Sequence, residues 1–243
     1  MKKTVVFLAL LALLSACAMD PRLTEQSQVY VDTWVKRDNP AVFVQPMNAP
    51  SRPFKAVILP FDVQQDVRFA SNIGKQLTEV LWQGWNKEQA FPSLFYEPTM
   101  LGVTKEQAIL IGRDRGADCV VMGHFSYILN GGTQSDSTIS MAFDIFDVNT
   151  GQRIWSMAHT GRIDPGLLRT DYVLFTRNAR MPMDPMWSIM MAMAADTGGI
   201  LKKWNNGQQY QSPGASSVPV STPKPQDPPP APKKPLQSSV LQN

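Results

Sequence analysis

Three strand patterns follow one another between residues 118 and 162, and they constrain the fold more than any other part of the chain. Apolar residues run through or alternate along Asp118–Leu129, Ser137–Val148 and Arg153–Arg162, as expected for strands with a buried face. The segment Asn149–Gln152 between the last two has the composition of a turn. The sequence therefore predicts an antiparallel hairpin within a larger sheet.

Two helices are predicted before these strands. Apolar residues recur every three or four positions from Phe69 to Trp85, which is the spacing of an amphipathic helix. Thr104 followed by Gln107 is a capping-box pattern that opens a second helix. This helix is expected to run through Arg115, because Gly116 stands where a glycine commonly ends a helix.

A third helix and two further strands complete the predicted order. Asp184-Pro185 is an N-cap followed by proline at the first helical position, and the helix is expected to reach Trp204 with a bend or break at Gly198-Gly199. Lys55–Phe61 and Leu94–Glu97 are short strand patterns. The order β-α-β-α-β-β-β-α predicts an α+β fold, with helices packed on a mixed sheet.

Four segments of this body together resemble one family of bacterial envelope proteins. They are KAVILPF, GKQLTEVLW, GRDRGADCVVMGHF and TISMAFDIFDVNTGQRIWSM. They are similar to the domain shared by the curli secretion lipoprotein CsgG, the polysaccharide export lipoprotein PelC, the amino-terminal domain of TolB, the synthase activator LpoB and the flagellar protein FlgO. The resemblance implies a TolB amino-terminal-like fold and a lipid-anchored, periplasmic assembly protein, several relatives of which form rings.

The first 17 residues have the pattern of a secretion signal. Two lysines precede an apolar run from Val5 to Leu14, and small residues lead to Cys17. The run is too short for a permanent transmembrane helix, which needs about 20 apolar residues. The segment before Cys17 resembles a lipobox, which implies cleavage after residue 16 and acylation of Cys17.

Lipid anchoring predicts where the mature chain is found. Several acyl chains on Cys17 would hold it stably on a bilayer surface. An aspartate directly after the cysteine favours retention in the inner membrane in such lipoproteins, and this chain has Ala18 there. We therefore expect an outer-membrane lipoprotein that faces the periplasm and contacts outer-membrane lipid through acylated Cys17.

Charge and cysteine content exclude several functions. The chain has 23 Lys+Arg against 20 Asp+Glu, and removal of Lys2 and Lys3 leaves 21 against 20. Such a balance gives no basic patch for nucleic acid. Once Cys17 is acylated the remaining thiol is Cys119, so no internal disulfide is expected, and its apolar surroundings predict a buried, inert thiol.

Four regions are predicted along the chain. Residues 1–16 form the signal peptide, 17–54 a lipid-anchored tether broken by prolines, 55–205 the α+β domain and 206–243 a disordered, proline-rich tail. Within the tether, the apolar residues near Trp34 are expected to pack on the chain's own domain or on a neighbouring subunit. The tail is either a solvated end or a docking element.

Possible interface residues are few. The stretch 164–183 is long for a loop, and it contains Tyr172 and Phe175. It is interpreted either as a membrane-facing or subunit-facing loop or as a loop packed over its own sheet. Trp34 and Trp187 are the other candidate interface anchors, because tryptophan is enriched in interface hot spots.

The residues that catalysis or metal binding would need are not found in suitable patterns. His124 and His159 are the only histidines, and neither has a metal-ligand spacing to another His or Cys. Asp144 and Asp147 point to opposite faces of a strand and make a poor acid/base pair. We therefore predict a protein that is not an enzyme and holds no cofactor or metal.

A methionine cluster leaves two interpretations. Residues 181–193 include six methionines, and thioethers suit an adaptable partner surface or a copper site. Since several of them keep the helical spacing of the other apolar residues, core packing is the favoured interpretation.

Two functional hypotheses follow. The first is a non-enzymatic, oligomeric structural or assembly subunit of an envelope export or appendage system, with export or flagellar proteins as partners. The alternative is an LpoB-like regulatory lipoprotein that activates a peptidoglycan synthase. That role requires a long disordered tether between Cys17 and the domain, whereas the longer disordered segment is predicted at the other end.

Overall fold

The computed structural model describes residues 27–98, 102–165, 169–171 and 175–208. The described strands are β1 Ser27–Asp32, β2 Lys36–Arg37, β3 Ala41–Val44, β4 Ala56–Ile58, β5 Asp62–Val63, β6 Leu94–Tyr96, β7 Cys119–Leu129, β8 Ser137–Asp147, β9 Arg153–Ile163, β10 Arg169–Asp171 and β11 Phe175–Arg180. The described helices are α1 Ala70–Glu88, α2 Lys105–Asp114 and α3 Pro185–Asn205.

Eight of these strands form one mixed sheet, which we call the main sheet. Its central strands β7, β8 and β9 are antiparallel neighbours. On one side, β4 runs parallel to both β7 and β6, and β5 continues along β7. On the other side, β2 and β3 follow one another along β9. The predicted α+β fold with helices on a mixed sheet is confirmed.

The two faces of the main sheet are covered differently. Alternate residues of β8 are fully buried on the face that carries α1 and α3, where the core includes Phe61, Trp85, Phe125 and Trp155. On the opposite face, α2 packs over Val57 and Val120 in a smaller cluster. The part of that face formed by β8 and β9 stays open beyond α2 within the described chain.

Helices α1 and α3 pack closely because small residues face each other. A Cβ added at Gly84 would lie 2.4 Å from Cβ of Ala194, and one at Gly198 would lie 3.0 Å from the Trp85 ring. A hydrogen bond of 2.9 Å from the Trp85 indole nitrogen to the Thr197 hydroxyl also joins the helices. The predicted break at Gly198-Gly199 is wrong, because α3 continues through both residues. Gly198 instead gives room to the Trp85 ring.

The predicted helix boundaries agree well with the structure. Thr104 and Gln107 form both hydrogen bonds of a capping box. The Asp184 side chain accepts a hydrogen bond from the Trp187 backbone, with proline at the start of α3. Gly116 follows α2 with a φ of 62°, in the left-handed region where glycine is favoured.

The methionines of α3 serve mainly in the core. Met190 and Met193 are fully buried and Met186 is 8% exposed. Their spacing places them on the face that packs against α1 and the main sheet. Core packing therefore explains these three, whereas Met183, just before the helix, is 97% exposed.

The segments expected to be irregular contain the additional strands. The sequence predicts a tether over residues 17–54, but β1, β2 and β3 lie within this range. Residues 164–183 were expected to form a loop, but they contain β10 and β11. β11 pairs with β1 in parallel and with β10 in antiparallel orientation. We call these three strands the small sheet.

Candidate interaction surface

An exposed tryptophan lies where the small sheet joins the main sheet. Trp34, in the connection between β1 and β2, is 77% exposed, whereas the next residue, Val35, is buried in the core. The Arg37 guanidinium lies 5.8 Å from the centre of the Trp34 ring, within range of a cation–π interaction. The Trp34 ring is therefore exposed to solvent, while Val35 anchors the backbone beside it and Arg37 contacts the ring.

Arg37 is held in turn by a carboxylate of α3. Its Nε and Nη2 donate hydrogen bonds to the two oxygens of Asp196, over 2.5 Å and 3.2 Å. A third hydrogen bond runs from Nη1 to the Val35 carbonyl over 3.3 Å. Bidentate pairing fixes the plane of a guanidinium as well as its position. The orientation of Arg37 beside Trp34 is thus fixed by the fold.

His159 extends this network into the main sheet. Its side chain is 2% exposed, and its Nε2 lies 3.0 Å from Oδ2 of Asp196. An ionised carboxylate only accepts hydrogen bonds, so Nε2 carries the proton and donates it. Asp196 therefore connects three elements, because Arg37 belongs to β2, His159 to β9 and Asp196 itself to α3.

Both titratable members of the network have a pKa below the ordinary value. Burial lowers the pKa of His159 and outweighs the opposing hydrogen bond to Asp196. Burial acts to raise the pKa of Asp196, but the hydrogen bonds from Arg37 and His159 outweigh it, so the pKa lies below its ordinary value. At neutral pH the network therefore contains a neutral imidazole, a carboxylate and a guanidinium.

Two hollows flank Arg37. One of about 450 Å³ is lined by residues of β2, β3 and β9, among them His159 and Thr160. The other, of about 390 Å³, includes Trp34 and Asp196 in its lining. Arg37, Asp38 and Asn39 line both. We call Trp34, Arg37, Asp38, Asn39 and the two hollows the Trp34 surface.

The other predicted interface residues are dispersed. Trp187 lies in the first turn of α3 and is 46% exposed. It precedes Asp196 by nine positions, which corresponds to about 13 Å along a helix. Phe175 begins β11, where its backbone pairs with Ser27. Cys17 and Tyr172 lie outside the described residues.

Sequence reasoning missed Arg37, His159 and Asp196 as one network. Arg37 and Asp196 are 159 positions apart, so no local spacing connects them. One signal was available, because Asp196 is an acidic residue that directly follows the mainly apolar stretch from Met186 to Ala195 in the same predicted helix. A carboxylate in such a helix needs a partner from another element.

Cys119, Asp144 and Asp147, the residues that could act in catalysis, have contacts typical of structural roles. Burial raises the pKa of the Cys119 thiol, which opposes formation of a nucleophilic thiolate. Asp147 accepts hydrogen bonds from Asn149 and Thr150 in the β8–β9 turn, and Asp144 lies 3.4 Å from Arg153. Within the described residues, no group of three or more His, Cys, Asp or Glu side chains is arranged to hold a metal ion.

A shallow groove of about 570 Å³ lies on the open face of the main sheet. Its lining combines charged side chains of both signs, among them Asp62, Lys105 and Arg153, with His124 and with apolar side chains such as Met122 and Phe146. Neighbouring positions on β8 and β9 carry small side chains such as Ala142 and Ser156. This composition is typical of a solvated sheet face.

No family model matches the chain, and no curated protein sequence matches it. Several solved structures are similar to it. The PelC dodecamer from Paraburkholderia phytofirmans has 12% identity and a TM-score of 0.42, and the match covers 68% of this chain and 95% of that one. The LpoB C-terminal domain from Escherichia coli has 18% identity and a TM-score of 0.28, covering 46% of this chain and 86% of that one.

TolB from Acinetobacter baumannii is also similar, with 13% identity and a TM-score of 0.26 over 65% of this chain and 31% of that one. The four sequence segments predict a resemblance to PelC, LpoB and TolB, and solved structures of all three are similar in fold to this chain. Similarity at this low sequence identity concerns the fold alone. The partners and activity of the chain follow from none of these matches.

Proposed function

We propose that the protein is a non-enzymatic outer-membrane lipoprotein, anchored through acylated Cys17, whose periplasmic body is an oligomeric structural or assembly subunit of an envelope export or appendage system. The signal-peptide pattern and the lipobox resemblance support the anchor. The Trp34 surface supports the assembly role. No helix in the described part of the chain has the length and apolar character needed to cross a membrane.

The short distance between Cys17 and the folded body carries this proposal. Strand β1 begins at Ser27, so nine residues separate it from Cys17. A fully extended segment of that length spans at most about 32 Å. The body would therefore stay close to the bilayer. A regulator that crosses the periplasm to reach a peptidoglycan synthase needs a longer tether, so this geometry favours the assembly role.

The composition of the Trp34 surface fits a protein contact. Tryptophan and arginine are enriched among the residues that dominate interface energies. Arg37 is held in place before binding by its hydrogen bonds to Asp196. The backbone at Trp34 is held by the next residue, Val35, which is buried in the core. A preorganised anchor loses less conformational entropy when a partner binds. We assign the self-association contact of the oligomer to this surface.

Metabolic labelling and fractionation test the anchor. The wild-type protein is expected to incorporate labelled palmitate and to fractionate with outer membranes. Cys17→Ala is expected to lose the label and leave the membrane fraction, while Cys119→Ala, which changes the buried thiol, retains both properties. An unlabelled wild-type protein, or Cys17→Ala that still fractionates with outer membranes, would contradict the anchor.

Light scattering of the acylated protein in detergent tests the oligomer. The protein mass is expected to be a multiple of the monomer mass. Trp34→Ala is expected to shift the population toward monomer, because the ring is exposed and its removal leaves the core intact. Trp187→Ala provides the matched control and is expected to keep the oligomer. A wild-type protein that stays monomeric at high concentration would refute the proposal.

A further inference from the structure

The pairing of β1 fixes the end of the small sheet from which the chain leads back to Cys17. Because β1 and β11 are parallel, Ser27 pairs with Phe175 and Asp32 pairs with Arg180. β10 places Asp171 opposite Thr176, next to Phe175. We call the end with Ser27, Asp171 and Phe175 the distal end. An antiparallel β1 would instead have placed Ser27 beside the body.

The opposite end of the small sheet is attached to the body. Three residues connect the last residue of β1, Asp32, to β2 of the main sheet, and four residues connect the last residue of β11, Arg180, to α3. Hydrogen bonds from the Thr33 backbone nitrogen and hydroxyl to the Arg180 carbonyl, over 2.6 Å and 2.9 Å, hold the two strands together at this end. Lys36 of β2 lies 2.5 Å from Asp164, which precedes β10. Among the described elements, β1, β10 and β11 make their main contacts with one another. The distal end is therefore the end farther from these attachments.

We propose that the distal end of the small sheet faces the bilayer and lies against the lipid head groups. This orientation rests on the proposed lipid anchor. The nine residues between Cys17 and Ser27 start at the bilayer and reach the fold at the distal end. Since they span at most about 32 Å, the distal end stays within that distance of the bilayer.

The small sheet also limits the depth of this contact. Both β1 and β10 have one edge that is unpaired among the described strands. Unpaired backbone groups are not tolerated in the hydrocarbon core, but water satisfies them at the head-group level. The contact is thus interfacial, without insertion of strands.

This orientation leaves the Trp34 surface free. Strand β1 has six residues, and its five steps from Ser27 to Asp32 cover about 17 Å at the rise of a β-strand. Trp34 follows the attached end of β1, so it lies at least that distance along the chain from the distal end. Lipid and protein contacts therefore use opposite ends of the small sheet.

Spin labels at chosen positions test the orientation. Phe175→Cys and, independently, Ser27→Cys place a thiol at the distal end, and Arg180→Cys places the matched control at the attached end. Cys17 is acylated and Cys119 is fully buried, so a nitroxide reagent modifies the introduced thiol. Each full-length, acylated variant is reconstituted into phosphatidylethanolamine/phosphatidylglycerol vesicles, and accessibility to oxygen and to a water-soluble nickel chelate is measured.

Labels at 27 and 175 are expected to show a higher oxygen-to-nickel accessibility ratio than the label at 180. Equal ratios at all three positions, in protein that floats with the vesicles, would overturn the orientation while leaving the anchor intact. Protein that fails to float would overturn the anchor and the orientation with it. Spin–spin broadening at 175 with low access to both reagents would instead identify a second copy at the distal end, which also overturns the proposal.

Discussion

Asp196 shows how one residue joins distant parts of the chain. It is the acidic member of a network with Arg37 and His159, and its side chain is 26% exposed. If Asp196 is removed, the other two members stay partly buried without this hydrogen-bond partner. The resulting loss of folding free energy is larger than the contribution of an exposed ion pair. The stability of the Trp34 surface therefore depends on a carboxylate from a different element.

Replacing Asp196 by alanine is expected to lower the free energy of unfolding by about 1–3 kcal/mol, the cost of an unsatisfied buried polar group. Urea unfolding followed by circular dichroism measures it. Arg180→Ala removes a comparable pair with Asp32, but those side chains are 62% and 59% exposed. That control is expected to lose less than about 1 kcal/mol. Equal losses in the two variants would show that Asp196 has no special role.

The pH dependence of stability follows from His159. Its pKa in the folded protein lies below the ordinary value of 6.5, so the folded state binds the proton less readily than the unfolded chain. Stability is therefore full above pH 6.5 and decreases as pH falls below that value. Asp196, whose pKa is also lowered, contributes stability above its ordinary value of 3.8 and loses it only at lower pH.

Urea midpoints measured between about pH 7.5 and pH 5, the range in which histidine titrates, check this expectation. The midpoint of the wild-type protein is expected to decrease on acidification. His159→Gln is expected to reduce that decrease, while His124→Gln, which changes the histidine of the open groove, retains it. A decrease of the same size in His159→Gln would assign the pH dependence to other groups.

At the scale of elements, the packing of α1 against α3 determines how the core closes. Gly84 and Gly198 allow the helices to approach, and each glycine lies in a helix interior where alanine is intrinsically preferred. Steric contact explains a glycine at such a position when a neighbouring atom occupies the space that a Cβ would need. Gly199 provides the contrast, because a Cβ added there meets nothing within 4 Å.

Gly84→Ala is expected to destabilise the protein by about 1–3 kcal/mol, as overpacked cores do. Gly199→Ala is expected to stabilise it by about 0.5–1 kcal/mol, the usual gain of alanine over glycine in a helix. Thermal unfolding of the two variants beside the wild type gives both values. Stabilisation by both substitutions would mean that α1 and α3 move apart at little cost.

The sequence predicted the elements that have local signals. The capping box at Thr104, the N-cap at Asp184 and the long alternating strands β8 and β9 are all found where they were expected. Strands β2 and β3 have two and four residues, and their partner β9 lies more than 100 positions later in the sequence. Such short segments form strands only because the edge strand β9 is available for pairing. The local sequence pattern does not show that β9 lies beside them.

At the scale of the molecule, the main sheet is packed against helices, whereas the small sheet has few contacts outside itself. Strand β8 has a partner on both sides and a face buried against α1 and α3, while the small sheet contacts mainly itself. Local opening requires least free energy where few contacts are lost. The two sheets should therefore open independently.

Native-state hydrogen exchange is expected to show this difference. Amides of β1 and β10 should exchange through local opening, whereas amides of β8 should exchange only near the free energy of global unfolding. Mass spectrometry of peptic fragments from the detergent-solubilised protein measures both groups in one experiment. Equal protection of β1 and β8 would show that the small sheet is part of the same cooperative unit.

The parallel pairing of β1 with β11 also sets an order of events during biogenesis. Paired positions in these strands are 148 residues apart, so β1 has no partner in this sheet until β11 has been synthesised. In the proposed secreted lipoprotein, β11 would also have to leave the translocation machinery first. In a protein anchored as proposed, the segment that follows acylated Cys17 would thus stay unpaired during most of secretion. Exposed strands are prone to wrong associations, and a periplasmic chaperone that binds extended apolar segments would protect this one until the chain is complete.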